Sequence, residues 1–313
     1  MNIMTKKIVI TSEFFGKFSD EGEQLLIDAG FEVIRNPYDR FLNEKEIVSI
    51  IRDADGIICD LENINQTVID NAPNLKIISR RGVGLDSVDV VYAESKNIRV
   101  SRTLGVVEKP VAELVMSYML NITRKLIKTN SEMQEGRWTK YIGNSLSGKT
   151  LGLLGMGNIA CELARKAKAF DMEIVYNATK RNMEAEELFG AKYLQFNDLM
   201  AYSDIVSVHV PLLESTKNMI DYNAIKMMKR APIVINTARG PIVNEEDLCR
   251  ALKEGLVSYA AIDVFDVEPK IDSCLKGVDK VILTPHIGTF TKETFIEMDV
   301  RAAINIVEYL GRT

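Results

Sequence analysis

Residues 150–170 read TLGLLGMGNIACELARKAKAF, an apolar run followed by a glycine turn and a stretch with helical spacing. The run TLGLL predicts a buried strand, and IACELARKAKAF predicts an amphipathic helix directly after it. Gly155 permits a tight turn between the two, and Gly157 lets another group approach the backbone closely. The stretch therefore predicts a strand-turn-helix unit of the kind that builds doubly wound α/β sheets.

Strands and helices alternate along the rest of the chain in the same way. Short apolar runs in the first hundred residues predict the strands KKIVIT, FEVIRN, GIIC, KIISR and IRVS. Runs in the second half predict the strands TLGLLG, MEIVYN, DIVSVHV, APIVINT, YAAIDVF and KVILT. Amphipathic stretches between the runs predict right-handed crossovers, and hence parallel sheets with helices on both faces. The predicted fold class is α/β, with two doubly wound parallel-sheet domains.

Two long helical patterns set the expected domain boundaries. One runs from Pro110 to about Lys128, and Pro110 suits its first turn because proline lacks an N–H group. The other, TKETFIEMDVRAAINIVEYL, is expected to pack back on the first domain. We therefore expect one discontinuous domain of residues 1–102 and 288–313, and a second domain of residues 103–287.

Charge and composition limit the kinds of partner. The 313 residues carry a net charge of −5, without a block of like charge. This argues against a nucleic-acid surface and for a small-molecule site with locally placed basic side chains. Runs of apolar residues stay well below the roughly 20 that span a bilayer. The sequence thus predicts a globular protein with neither a membrane nor a nucleic-acid partner.

The cysteines and histidines predict no metal site. Cys59, Cys161, Cys249 and Cys274 form no CxxC pair and lie far apart in the sequence. We expect them to be buried free thiols in a reducing cytosol, which predicts a cytoplasmic protein. The chain has only two histidines, so a zinc site is not expected either.

The glycine turn has the form GxGxxA, with Ala160 small enough to keep helix and strand close. Alone, such a turn is often only a strand-to-helix connection. Between a strand and a helix, with a further strand in order, it is typical of a dinucleotide site with the pyrophosphate on the helix N-terminus. The residues expected to bind the dinucleotide there are Gly155, Met156, Gly157, Asn158 and Ile159.

The choice between NAD and NADP depends on the end of the next predicted strand, MEIVYN. An acidic residue there would hold the ribose 2′-hydroxyl, but the chain has Asn177, and Lys180 and Arg181 follow it. A 2′-phosphate would not be repelled at this position, and either cation is able to pair with it. A solvated basic loop is the alternative. We expect NAD or NADP to bind, with NADP slightly favoured.

Three chemically capable residues follow the last three predicted strands: Arg239 in INTARG, Glu268 in DVFDVEP and His286 in TPHIG. Ligands of open α/β sheets bind outside the carboxyl ends of the strands, so one edge should gather these side chains. Arg239 can bind a carboxylate, His286 can exchange a proton with a carbonyl oxygen, and Glu268 can hold the imidazole. Singly, each has a structural alternative, such as a salt bridge or a surface turn. Beside a dinucleotide turn, the set predicts hydride transfer to or from a 2-hydroxy or 2-oxo acid.

The motifs together resemble the D-isomer-specific 2-hydroxyacid dehydrogenase family. The resemblance covers nearly the whole chain, in RRGVGLDSVDV, VAEL, GKTLGLLGMGNIA, HVPL, INTARGPIVNEEDL, AAIDVFDVEP and LTPHIG. It implies a Rossmann domain beside a flavodoxin-like substrate domain, with Arg239, Glu268 and His286 as the catalytic set. It also implies that the backbone N–H groups of Val83 and Gly84 bind the substrate carboxylate, together with Arg239.

Further residues are expected to contact the coenzyme. The resemblance implies that Asp263 contacts the nicotinamide carboxamide and that Thr237 and Ala238 line the nicotinamide. His209 has no acidic or arginine partner in its own segment, so we expect it on the adenosine side or in a structural role. The other residues expected to bind the coenzyme are Val210, Pro211, His286 and Gly288. The family commonly forms homodimers through the cofactor domain, so a homodimer is expected, with residues 110–150 as the place to look.

The motifs most resemble those of phosphoglycerate dehydrogenases and of hydroxypyruvate or glyoxylate reductases. After the strand GIIC, however, residues 60–62 are Asp-Leu-Glu, where phosphoglycerate dehydrogenases have an Arg-Ser pair for the substrate phosphate. Acidic side chains would repel a phosphate there, although Arg80, Arg81 or Arg102 are possible substitutes. Hydroxypyruvate, glyoxylate and 3-phosphoglycerate are therefore the candidate substrates. The alternative from another class is an NAD(H)-sensing interaction protein, like the C-terminal-binding corepressors that share this fold.

Overall fold

Two parallel sheets organise the chain, each in a compact unit of its own. The computed structural model of the protein describes residues 5–38, 40–269 and 273–311. Among these, one unit takes the residues up to Val107 and those from Phe290 onward, and the other unit runs from Glu108 to Thr289. The first unit is therefore discontinuous in sequence.

The first unit contains a five-stranded sheet with the order β2-β1-β3-β4-β5. All neighbouring strands are parallel, and the order is the flavodoxin-like one. Its strands are β1 (Lys7–Ile10), β2 (Glu32–Arg35), β3 (Gly56–Cys59), β4 (Ile77–Arg80) and β5 (Arg99–Arg102). Its helices are α1 (Glu21–Asp28), α2 (Glu44–Ile51), α3 (Gln66–Asp70), α4 (Val90–Ser95) and the last helix, Lys292–Leu310.

The second unit contains a seven-stranded parallel sheet in the Rossmann order. Its strands are β6 (Thr150–Leu154), β7 (Glu173–Asn177), β8 (Lys192–Tyr193), β9 (Ile205–Val208), β10 (Ile233–Asn236), β11 (Tyr259–Ile262) and β12 (Val281–Leu283). Its helices are α5 (Glu108–Arg124), α6 (Leu126–Gln134), α7 (Asn158–Lys168), α8 (Met183–Phe189), α9 (Phe196–Tyr202), α10 (Tyr222–Lys226) and α11 (Glu245–Glu254), so the last helix becomes α12. The strand order is β12-β11-β10-β9-β6-β7-β8. The predicted fold class, two doubly wound parallel sheets, is confirmed.

Alternating burial along the strands explains why helices cover both faces of each sheet. In β1, Ile8 and Ile10 pack with Ile306 of α12 on one face. Val9 packs with Ile47 of α2 on the other face. Because neighbouring residues of a strand point to opposite faces, a continuous apolar run needs a cover on both sides. The apolar runs that predict the strands therefore also predict helices on both faces of the sheet, because both faces must be covered.

The helix predicted from Pro110 to about Lys128 ends earlier than expected. α5 stops at Arg124, and Lys125 has a φ of 53°, in the left-handed region, before α6 begins. The carbonyl oxygen of Thr123 accepts a hydrogen bond from the N–H of Asn144 (2.9 Å), a residue far along the chain. Because α6 buries none of its residues, no core packing holds it in the same direction as α5.

The prediction that all four cysteines are free thiols is wrong for two of them. Cys249 and Cys274 form a disulfide, with a Cα–Cα distance of 6.4 Å. A separation of 25 residues matches no sequence motif, and only the fold brings α11 beside the turn that carries Cys274. Cys59 and Cys161 are free. Cysteine usage therefore no longer argues for a reducing cytosol.

No helix within the described ranges combines the length and the apolar character needed to cross a bilayer.

Candidate active site

Three loops at the carboxyl edge of the seven-stranded sheet carry Arg239, Glu268 and His286. The loops follow β10, β11 and β12, which are neighbours in the sheet. Because parallel strands end at the same edge, the loops that leave adjacent strands lie side by side. The three residues are therefore gathered by topology rather than by closeness in sequence.

Glu268 and His286 form a direct hydrogen bond. Nδ1 of His286 lies 2.6 Å from Oε2 of Glu268, while Oε1 accepts the N–H of Phe265 at 3.0 Å. Both side chains stay partly accessible, at 31% for His286 and 30% for Glu268. Since a carboxylate only accepts, Nδ1 donates and Nε2 is the nitrogen left for exchange with a ligand.

The pKa of Glu268 is lowered in this setting. Burial opposes ionisation, but the hydrogen bond and charge of His286, the Phe265 N–H and the charge of Arg239 outweigh it. Both of the other predicted catalytic residues, His286 and Arg239, thus contribute to lowering the pKa of Glu268. At neutral pH Glu268 is therefore a carboxylate that accepts the hydrogen bond from Nδ1 of His286.

The loop of Arg239 is shaped by Asn236 and Gly240. Asn236 is 1% exposed; its side chain donates to the carbonyl of Arg239 (2.8 Å) and accepts from the N–H of Ala238 (3.1 Å). A Cβ atom at Gly240 would lie 2.1 Å from the backbone carbon of Phe265. Only glycine lets the loop after β10 pack this closely against the loop that leads to Glu268. The segment INTARG therefore brings a guanidinium next to the acid-imidazole pair.

Asp263 holds the turn that contains His286. Its carboxylate accepts the N–H groups of Ile287 and Gly288, each at 2.9 Å, and its backbone carbonyl accepts the N–H of His286 at 2.8 Å. Asp263 is 1% exposed, and burial raises its pKa although these donors partly offset the effect. The resemblance implied a coenzyme contact for Asp263 and Gly288. Their shared structural task is to fix the backbone around His286.

The glycine turn after β6 is tight at Gly155 and leaves open space at the start of α7. Gly155 has a φ of 96°, and a Cβ there would lie 2.8 Å from the carbonyl oxygen of His209. Gly157 caps α7, no side chain caps that end, and a Cβ at Gly157 would meet nothing within 4 Å. Unpaired N–H groups and the helix dipole at such an end attract an anion. The other predicted residues of the turn are Met156, Asn158 and Ile159. The carbonyl of Met156 accepts a hydrogen bond from the side chain of Asn182, and the side-chain amide of Asn158 donates one to Glu108.

The end of β7 carries a network that the sequence did not indicate. Arg181 makes two hydrogen bonds to Glu186, at 3.0 and 2.5 Å, and the hydroxyl of Tyr176 donates to the same carboxylate at 2.6 Å. Lys180 is exposed, and Asn177 donates to the carbonyl of Leu194. Of the two predicted cations, Arg181 is therefore already paired within the protein.

The remaining predicted coenzyme residues lie at the neighbouring strand ends. His209 follows β9, its Nε2 lies 2.9 Å from Oγ of Ser207, and burial lowers its pKa to about 4. Within the described residues, the hydroxyl of Thr237 is buried without a hydrogen-bond partner, which leaves it available to a ligand. Ala238 is partly buried beside it, as is Val210 after β9, whereas Pro211 is exposed.

In the first unit, Val83 and Gly84 follow β4 at the carboxyl edge of its sheet. Both are partly buried. Their N–H groups have no protein acceptor in the described part of the chain, whereas the carbonyl of Val83 accepts from Arg102 at 3.4 Å. Two adjacent unpaired N–H groups are suited to an anion such as a carboxylate.

The arginines that were possible phosphate ligands are paired inside the first unit. Arg81 is 3% exposed, contacts Asp60 and Asp299, and stacks on the ring of Phe295. Arg80 is 6% exposed and lies 3.8 Å from Asp60. Only Arg102 of the three is exposed. Arg80 and Arg81 thus balance buried carboxylates.

Glu62 is a buried carboxyl group next to this cluster. Its Oε2 accepts the N–H of Asp60 at 2.6 Å, and its Oε1 is buried without a partner among the described residues. Burial, and then the charge of Asp60, raise the pKa of Glu62 to about 7. The folded protein therefore binds a proton that the unfolded chain releases near pH 4.5. Stability should fall as the pH rises through this window.

Replacing Glu62 with Gln should stabilise the protein at pH 8 and leave it nearly unchanged at pH 4.5. The amide keeps an acceptor for Asp60 and cannot ionise, so the expected gain is about 2 kcal/mol. Urea unfolding at both pH values measures it, with the exposed Glu94→Gln as the matched control. Equal stability of the Glu62 variant and the wild type at pH 8 would contradict the assignment.

Two polar residues near His286 were missed at the sequence level. Tyr118 of α5 and Thr284 after β12 are hydrogen-bonded to each other and to Asp263. Tyr118 reads as one more apolar position of a helix, and only its hydroxyl hinted at a partner. Among the described residues, no group of three or more His, Cys, Asp or Glu side chains is placed to hold a metal ion.

Comparison with known proteins gives three findings. The family model described as "D-isomer specific 2-hydroxyacid dehydrogenase, NAD binding domain" matches residues 116–288. A glyoxylate reductase of Thermococcus litoralis is 36% identical over 269 residues, which cover 83% of this chain and 81% of the relative. A hydroxypyruvate reductase of Thermotoga maritima is 38% identical over 277 residues, covering 86% and 89% of the two chains.

The fold has a solved counterpart as well. The crystal structure of a glyoxylate reductase from Paecilomyes thermophila superposes with a TM-score of 0.88. The two proteins are 28% identical, and the match covers 98% of this chain and 96% of the other.

Proposed function

The chain belongs to the D-isomer-specific 2-hydroxyacid dehydrogenase family, and we propose that it acts as a glyoxylate or hydroxypyruvate reductase. It is an oxidoreductase that transfers a hydride between a nicotinamide coenzyme and a small 2-hydroxy acid. The observation that carries the proposal is the 2.6 Å bond between His286 and Glu268, on loops next to that of Arg239.

Each of the three side chains has one task in this proposal. Arg239 binds the substrate carboxylate through its planar fork of N–H donors. In the first unit, the N–H groups of Val83 and Gly84 are proposed to bind a carboxylate as well. The nicotinamide, when bound, supplies the hydride that arrives at C2. His286 gives the proton on Nε2 to the carbonyl oxygen as that oxygen becomes a hydroxyl. Glu268 keeps the imidazole oriented by accepting the hydrogen bond from Nδ1.

The coenzyme fits the residues of the glycine turn. Gly157 offers open space at the start of α7, and Thr237 offers a buried hydroxyl without a protein partner. The N-terminus of α7 would hold the pyrophosphate, and Thr237 with Ala238 would line the nicotinamide. Asp263 and Gly288, which belong to or hold the turn of His286, would line the nicotinamide site from the other side.

A small substrate without a phosphate group is favoured. The positions after β3 carry the carboxyl groups of Asp60 and Glu62, and Arg81 is already paired with Asp60 and Asp299. A phosphate would therefore meet negative charge without a matching free cation from this cluster. We rank glyoxylate and hydroxypyruvate above 3-phosphohydroxypyruvate, the oxidised form of 3-phosphoglycerate.

A panel of 2-oxo acids tests the function. Glyoxylate, hydroxypyruvate, pyruvate and 3-phosphohydroxypyruvate would each be reduced with NADH and with NADPH, and the rates compared as kcat/KM. The first two should give the highest values. An absence of turnover together with tight coenzyme binding would overturn the proposal in favour of a dinucleotide-sensing interaction protein.

For the coenzyme, the proposal is that both NADH and NADPH bind and that NADPH is preferred. The end of β7 offers no carboxylate at Asn177 to bind a 2′-hydroxyl, and it offers the exposed Lys180. Arg181 is shared with Glu186, so it should contribute less to phosphate binding than Lys180 does. The preference is therefore expected to be modest.

Replacing Lys180 and Arg181 with alanine should weaken NADPH binding by roughly tenfold and change NADH binding by less than about twofold. The 2′-phosphate is the only group that distinguishes the two coenzymes. Quenching of protein fluorescence during titration measures both dissociation constants, and Lys168→Ala in the last turn of α7 is the control. Equal losses for the two coenzymes would remove both residues from the phosphate site.

The proposal also includes a homodimer. Support for the dimer comes from exposed apolar side chains between α6 and β6, with Trp138 at 78% and Ile142 at 92% exposure. Such side chains are commonly covered in an assembly. Sedimentation velocity of the wild type and of Ile142→Asp tests the dimer.

A further inference from the structure

The hydroxyl of Tyr118 reaches the loop that carries His286 from inside the second unit. Tyr118 belongs to α5 and is 3% exposed, and its hydroxyl lies 2.5 Å from Oγ1 of Thr284. Thr284 comes two residues before His286, and its Oγ1 lies 2.5 Å from Oδ1 of Asp263. A continuous chain of hydrogen bonds therefore connects a helix to the carboxyl ends of β11 and β12.

The direction of the protons in this chain follows from chemistry. The ionised carboxylate of Asp263 only accepts, so Thr284 donates its single hydroxyl proton to it. Oγ1 of Thr284 is then the acceptor for Tyr118, which must be the donor. Burial raises the pKa of Tyr118, so the phenol keeps this proton at neutral pH. Donors arranged in series polarise one another, and each bond strengthens the next.

This series of hydrogen bonds ends at the turn around His286. The backbone carbonyl of Asp263 accepts the His286 N–H, and its side chain accepts those of Ile287 and Gly288. His286 has a φ of 53°, a left-handed conformation that residues other than glycine rarely adopt. The turn depends on bonds such as these to keep that conformation, so the orientation of the Asp263 carboxylate decides where the imidazole points.

We propose that Tyr118 is a positioning residue for the proton transfer of His286, acting through Thr284 and Asp263. It orients the two side chains that hold the backbone of residues 286–288. The proposal rests on the proposed function, since it assigns Tyr118 to the proton step of that reaction. Binding of the substrate carboxylate, which is assigned to Arg239, does not involve the hydrogen bonds between Tyr118, Thr284 and Asp263.

A double-mutant cycle tests the path of the effect. Tyr118→Phe removes only the hydroxyl and should lower kcat by roughly three- to tenfold, with the KM of the oxo acid within about twofold of the wild-type value. Thr284→Val removes the central link and should lower kcat by roughly 10- to 30-fold. The double variant should nearly match Thr284→Val alone, because the direct contact that Tyr118 then keeps with Oδ1 of Asp263 is a long one of 3.5 Å. Tyr222→Phe, which loses a surface hydrogen bond to Glu254, is the control and should leave kcat unchanged.

Hydrogen exchange gives a readout that does not need turnover. In the coenzyme-free protein, Tyr118→Phe should speed exchange of the Ile287 and Gly288 amides, whereas Tyr222→Phe should not. Independent effects of Tyr118→Phe and Thr284→Val that multiply in the double variant would overturn the proposal. So would a normal kcat for Tyr118→Phe in an enzyme that is otherwise active. A wild-type protein without oxo-acid turnover would instead refute the proposed function, and the role of Tyr118 with it.

Discussion

Replacing His286 with alanine is expected to lower kcat for oxo-acid reduction by at least about 100-fold. The forming alkoxide needs a proton, and Nε2 of His286 is the imidazole nitrogen that Glu268 leaves available. The other histidine offers no replacement, because burial lowers the pKa of His209 to about 4 and keeps it neutral. Stopped-flow measurement of the hydride-transfer step, at saturating coenzyme and substrate, would separate this loss from an effect on product release.

The matched variant is His286→Asn. Asparagine tolerates the left-handed backbone at this position and can still donate to Glu268, but it exchanges no proton near neutrality. It should therefore lose as much activity as alanine does. If His286→Asn turned over normally, the imidazole would have no part in proton transfer.

The sequence predicted the two sheets because most of their strands contain short apolar runs, such as KIVI in β1, GIIC in β3 and IVIN in β10. β8 was missed because two residues, Lys192 and Tyr193, carry no periodicity. The end of α5 was missed because it depends on Asn144, which binds the carbonyl of Thr123 from a distant part of the chain. The Cys249–Cys274 disulfide likewise depends on a contact made by the folded chain alone. Errors therefore concentrate where long-range contacts override local preference.

The site residues also divide into those that the sequence could predict and those that depend on contacts made by the folded chain. Arg239, Glu268 and His286 were predictable as neighbours because topology places the ends of adjacent parallel strands at one edge. The pairing of Arg181 with Glu186 was not, since their five-residue separation gives no reason to prefer this partner over solvent. Tyr118 was not predictable either, because its role depends on the hydroxyl of Thr284, a residue distant in sequence.

Replacing Arg239 with alanine should reduce kcat/KM for glyoxylate by roughly 100- to 1,000-fold, mostly through KM. The charge of the guanidinium lowers the pKa of Glu268, so it acts on the acid-imidazole pair. Removing it leaves the substrate carboxylate without its charged partner. Arg239→Lys should recover little activity, because an ammonium group keeps the charge but not the planar pair of donors.

Two controls distinguish carboxylate binding from a structural role of Arg239. Arg250→Ala removes an exposed arginine that pairs with Glu254 on α11, and its kcat/KM should equal that of the wild type. The second control is methylglyoxal, an oxo compound without a carboxylate, whose slow reduction should be nearly unaffected by Arg239→Ala. A loss of equal size with glyoxylate and methylglyoxal would mean that Arg239 supports the loop after β10 instead of binding the acid. A loss confined to glyoxylate identifies the guanidinium as the group that selects 2-oxo acids over other carbonyl compounds.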